Sequence, residues 1–109
     1  MSAATTVPLT VTPEAAAHIA QLGMQREFDL MIEHTRQTVP YLRSITVTLE
    51  DRYELGDEPV LVIESTVDHP HPLEDPSETQ WGGWKVDTFQ PDVCRHFIMC
   101  VVHGTTHEG

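Results

Sequence analysis

The chain has 109 residues, enough for one domain with a modest hydrophobic core and too few for a separate catalytic domain. Seventeen acidic residues against six basic ones give a net charge of −11, and Lys85 is the only lysine. That balance argues against affinity for nucleic-acid phosphates or anionic membranes, which need a positive footprint; it leaves a basic protein partner, a cation or plain solubility as its use.

In chain order, Met1–Thr6 has no basic segment followed by an apolar core, so a cytoplasmic location with reduced Cys94 and Cys100 is expected. Thr6–Val11 alternates Val7, Leu9 and Val11 around Pro8, which suits a short edge strand that can spare one ladder donor. Thr12-Pro13-Glu14 is a helix start: a capping hydroxyl, a proline at the first helical position and an acid in the first turn. Helical spacing then runs to Val39 through a stripe of Ala17, Ala20, Met24, Phe28, Met31 and Thr35, with Ile32 beside it. Ile19 and Leu22 fall off that stripe, and the change coincides with Gly23, where a break or kink is expected. Pro40 ends the segment.

Tyr41–Glu50 alternates Ile45, Val47 and Leu49 with Ser44, Thr46 and Thr48, the pattern of a half-buried strand. Val60–Ile63 is apolar on both faces, as in an interior strand, before Glu64–Val67 restores some polarity. Gly56-Asp57 and Pro59 in the intervening stretch make an antiparallel pair with a wide loop the economical arrangement. Asp68–Gln80, with three prolines, reads as an acidic, histidine-bearing surface loop. Trp81-Gly82-Gly83-Trp84 follows, and Val86 and Phe89 suit a short strand or simple packing. Asp92–His103 fits a helix entered at Gln90-Pro91-Asp92 or a strand apolar on both faces; the helix is preferred, since it supplies a second layer over the sheet. Residues 1–5 and 105–109 are expected to fray. The expected architecture is therefore a single α+β domain over 1–109. A small antiparallel sheet packs against one long or kinked N-terminal helix and a C-terminal helix.

The order of a helix, YLRSITVTLE, an acidic turn ending ELGDEP, the strand VLVIEST and a Trp-bearing return resembles a family of small uncharacterised prokaryotic α+β proteins. The resemblance spans Tyr41–Val67, implies the fold and implies no activity. The long loop and the two cysteines and two histidines of the last apolar segment depart from that pattern.

Seven histidines invite a metal reading, although H-E-x-x-H, C-x-x-C, P-loop and G-x-S-x-G patterns are all missing. On a helix, His96, Cys100 and His103 would share one face and could hold zinc or another transition ion, given a fourth ligand from the Asp68–Asp75 loop. The same stripe reads equally as core, and in a strand the set dissolves. His69 and His71 beside Glu74 and Asp75 form a second, looser metal candidate, for which an exposed polar loop is the simpler account. Trp81, Trp84 and Phe97 would wall a ligand pocket if they converge; as separate anchors they are ordinary packing. Pairs such as His96 or His103 with Glu64, or a cysteine with a neighbouring histidine, lack a context fixing nucleophile, base and anion donors together.

The expectation is a noncatalytic cytoplasmic protein-binding or regulatory domain without a cofactor, dimeric through its first strand or meeting a basic partner surface. A metal-binding or metal-dependent hydrolytic protein built on His96, Cys100 and His103 is the alternative, and a small-ligand module the third class.

Overall fold

The computed structural model describes residues 7–39, 41–50, 59–68 and 76–103. Strand β1 (Leu9–Val11) leads into helix α1 (Pro13–Leu22) through the expected cap: the Thr12 hydroxyl accepts the Ala15 N–H at 3.2 Å, with Pro13 in the first turn. Gly23 closes α1 in the left-handed region at φ 69°, its N–H donating to the Ala20 carbonyl while Met24 N–H reaches that of Ile19. A residue with a Cβ meets that conformation with strain, so the glycine is a stop signal. Helix α2 (Gln25–Thr38) starts afresh beyond it. The break resets the helical phase: α1 buries Ala15 and Ile19 and leaves Ala17 and Ala20 exposed, whereas Phe28, Met31, Ile32 and Thr35 of α2 are buried. The continuous stripe through Ala17 and Ala20 is thereby corrected.

Strands β2 (Leu42–Glu50) and β3 (Val60–Val67) form the expected antiparallel pair, with Val47 opposite Ile63 and Thr46 opposite Glu64. Tyr41 ties their open end together, its backbone at φ 61° and its carbonyl accepting the Asp68 N–H at 2.8 Å. Helix α3 (Ser77–Thr88), one turn of helix α4 (Pro91–Cys94) and strand β4 (Phe97–His103) complete the described chain.

Three expectations are corrected here. The last segment is a strand rather than a helix: Phe97 and Met99 fill the core face, and the backbone pairs in parallel with β3. The sheet is consequently mixed rather than antiparallel, in the order β1-β2-β3-β4, with β1 parallel to β2. Helix α3 begins inside the segment read as loop and replaces the short strand around Val86 and Phe89. Trp81 and Trp84, three apart, share its inner face, and their packing outweighs the roughly 1 kcal/mol that each of Gly82 and Gly83 costs a helix. The turn at 51–58, the loop residues 69–75, Pro40 and both termini lie outside the described residues.

One core gathers all four helices on one side of the sheet: Ile19 from α1, Phe28 and Met31 from α2, Trp81 from α3 and Val93 from α4 meet Ile45, Val47, Leu61, Ile63 and Phe97. Both parallel crossovers, β1 to β2 and β3 to β4, thus pass over the same face. They advance in the same direction across the sheet, but β2 and β3 run antiparallel. Geometry then requires them to have opposite hands, and one of them departs from the strong right-handed preference of such connections.

Candidate functional site

The residues singled out in the sequence go to separate places. His96 sits in the turn before β4, only 6% exposed, whereas Cys100 lies inside β4 and His103 ends it. In a strand, positions 100 and 103 fall on opposite faces, so the helical face that would have joined the three does not exist. Among the described residues no group of three His, Cys, Asp or Glu residues is placed to hold a metal ion. His69 and His71 lie outside the described residues.

The aromatic trio divides between core and surface. Phe97 is fully buried and stacks on Phe28 at 6.3 Å. Trp81 is buried as well, and its indole N–H donates to the Thr35 hydroxyl at 2.9 Å. Trp84 is half-buried, edge-on to Phe89 and stacked flat on His34 at 3.8 Å. Burial holds the His34 pKa below its ordinary value of 6.5. The unfolded chain therefore binds a proton at His34 more readily than the native one. Its contribution to stability is complete above pH 6.5 and declines as pH falls from there to the native value. Subtracting the pH–stability curve of His34→Phe, which keeps a stacking ring, should leave a fall confined to that window; a flat difference would reject the assignment.

Side chains reach backbone groups along both sheet edges. Just before β1 the Pro8 carbonyl faces β2, so Leu9 and Val11 turn their backbone groups outward, and Arg36 Nη2 donates to the carbonyl of the preceding Val7 at 3.2 Å. In β4 the His96 carbonyl faces β3, so the groups of Phe97, Met99 and Val101 point outward. Helix α3 supplies partners for two of them: Glu78 accepts the Val101 N–H at 2.7 Å and Lys85 Nζ donates to the Phe97 carbonyl at 2.7 Å. Lys85 also reaches the Cys94 carbonyl at 3.1 Å and lies 5.7 Å from the Trp81 ring centre. Burial lowers the pKa of this ammonium, partly opposed by Cys94 nearby. The Cys94 thiol donates to the Lys85 carbonyl at 3.4 Å.

The face turned away from the helices is different. Thr46 and Thr48 of β2, Glu64 and Thr66 of β3, and Ile98 and Val102 of β4 stand there around the buried Val60 and Val62, and all lie outside the helix-side core. Val102 is 38% exposed. No described helix crosses this face.

A cavity of about 430 Å³ opens at the end of the sheet where α1 stops and β3 and β4 begin. Its polar wall is His18, Gln21, Asp92, Arg95 and His96, and its apolar wall Leu22, Met24 and Pro59. The two imidazoles are edge-to-face, 6.4 Å between centres. Arg95 pairs with Asp92 at 3.1 Å, both largely exposed. His18 Nε2 is buried without a hydrogen-bond partner. Sequence reasoning found His96 and missed His18, which lies 78 positions earlier in an alanine-rich helix with no motif around it.

Comparison with protein-family models, curated proteins and solved structures gives no match. The resemblance over Tyr41–Val67 therefore carries no argument about function. No helix among the described residues is long and apolar enough to cross a membrane.

Proposed function

We propose that this is a noncatalytic protein-binding or regulatory domain whose contact surface is the sheet face turned away from the helices. One observation carries the reading: Arg36, Glu78 and Lys85 hold backbone groups along the edges, while the face presents threonines, Glu64 and the 38% exposed Val102. A peptide adding a strand would have to displace those side chains; a partner laid on the face would not. The fitting partner is a protein with an aliphatic patch ringed by lysine or arginine, since Glu64 and the net charge of −11 favour such a surface and speed its approach. A cytoplasmic setting accords with Cys94 and Cys100 outside any disulfide.

Homodimerisation belongs to the same proposal in a restricted form. The β1 edge is only three residues long, so a dimer built on it would be weak. Light scattering at monomer mass over a wide concentration range would remove it. The metal-dependent alternative has less support, because its helical face is absent.

The face is tested by placing a photo-crosslinking residue at Thr46 or, on the helix side, at the exposed Gln37. One protein adduct is expected from Thr46 alone, diminished by salt and by Val102→Asp. Equal adducts from Gln37, or an adduct indifferent to Val102→Asp, would defeat the proposal.

A further inference from the structure

The cavity between His18 and His96 is unused by a sheet-face interaction, and its chemistry is specific. A buried imidazole nitrogen without a partner costs free energy that a hydrophobic side chain would not. His96, which is 6% exposed, brings a second imidazole to the same wall, and Arg95 brings a guanidinium whose fork holds more donors than one contact with Asp92 uses. In a chain with only six basic residues, this is a local concentration of groups able to donate to an anion. Opposite them, Leu22, Met24 and Pro59 offer an apolar wall, and the volume falls in the range of small-molecule sites.

The geometry points to a binding site for a small organic carboxylate with an apolar body. The carboxylate is held by Arg95, His18 and His96, and the body lies on Leu22, Met24 and Pro59. A transition ion is the competing occupant, but two imidazoles with no third ligand among the described residues would hold it only with solvent completing its shell. The carboxylate uses the guanidinium and the apolar wall, which an ion leaves idle.

The test is calorimetric titration of the whole chain with 4-methylpentanoate, its uncharged amide and zinc chloride, together with amide-resolved NMR. Saturable 4-methylpentanoate binding is expected, with shifts at Leu22 and His96 and an affinity at least about tenfold above that of the amide. Arg95→Met, at an exposed side chain, should weaken it about tenfold, as should His18→Leu. His18→Leu should also raise Tm, because it removes the unpartnered nitrogen; lost binding with gained stability separates a ligand group from a structural one. Val102→Asp should leave it unchanged, so the outcome is independent of the sheet-face proposal. Equal binding of the amide, binding that survives both Arg95→Met and His18→Leu, zinc held one per chain through His18 and His96 in place of the carboxylate, or no saturation by about 20 mM would each overturn the assignment.

Discussion

Val47→Asp is expected to abolish cooperative folding at neutral pH, while Thr46→Asp, one residue earlier, leaves the domain folded. Val47 is completely inaccessible, paired with Val11 on one side and Ile63 on the other. An ionised carboxylate there has no cation among the described core residues, and its burial costs several kcal/mol, a large share of the ~5–15 kcal/mol that holds a domain of ordinary stability. Thr46 occupies the opposite face and is half-exposed. Its aspartate would stand across from Glu64, a like-charge pair costing about 0.5–1 kcal/mol. Far-UV circular dichroism with urea unfolding reads both variants. Partial recovery of Val47→Asp at low pH, where the carboxyl can bury itself neutral, is part of the expectation. Equal costs for the two substitutions would mean that the strand faces are wrongly assigned.

Trp81→Ala should cost about 3–5 kcal/mol, the range for removing a large aromatic from a packed interior. Trp81 is 2% exposed, donates to Thr35, and lies under the Lys85 ammonium. Trp81→Phe should lose only about 1 kcal/mol, since most of the volume stays and the Thr35 hydroxyl keeps its own bond to the Met31 carbonyl at 2.7 Å. Thr35→Val alone should cost more than in the Trp81→Phe background, because it strands a buried indole N–H that phenylalanine lacks. A double-mutant cycle in urea measures that coupling; strictly additive costs would show that the Trp81–Thr35 bond contributes nothing.

What the sequence made legible was the part of the fold written in local chemistry. Thr12-Pro13, Gly23 and the alternation of Ile45 and Val47 each act through neighbours a few residues away, and each appears where expected. The α+β class followed from those elements. The last strand was harder, because Phe97–Val102 is apolar at both periods and its state is decided by β3, whose Leu61 pairs with Phe97 across 36 positions. Helix α3 was hidden by its glycines, because what stabilises it is tertiary: the burial of Trp81 and Trp84 against the core and the bonds of Glu78 and Lys85 to β4. The cavity was least legible of all. His18 and His96 meet only because two crossovers bring the end of α1 to the start of β4, and no spacing rule links positions 18 and 96.

The opposite hands of the two crossovers bear on descent. The order β1-β2-β3-β4 puts two parallel βαβ-type units side by side, which invites the idea of a small gene segment doubled in tandem. Doubling copies a sequence of L-residues, and a copied unit winds with the hand of its original. Two units of opposite hand are not such copies, whatever their outward symmetry. The pairing of β2 with β3 then joins halves of separate origin, or a chain that arose whole, and ancestral reconstruction should find no point at which the sequences of 9–47 and 61–103 converge.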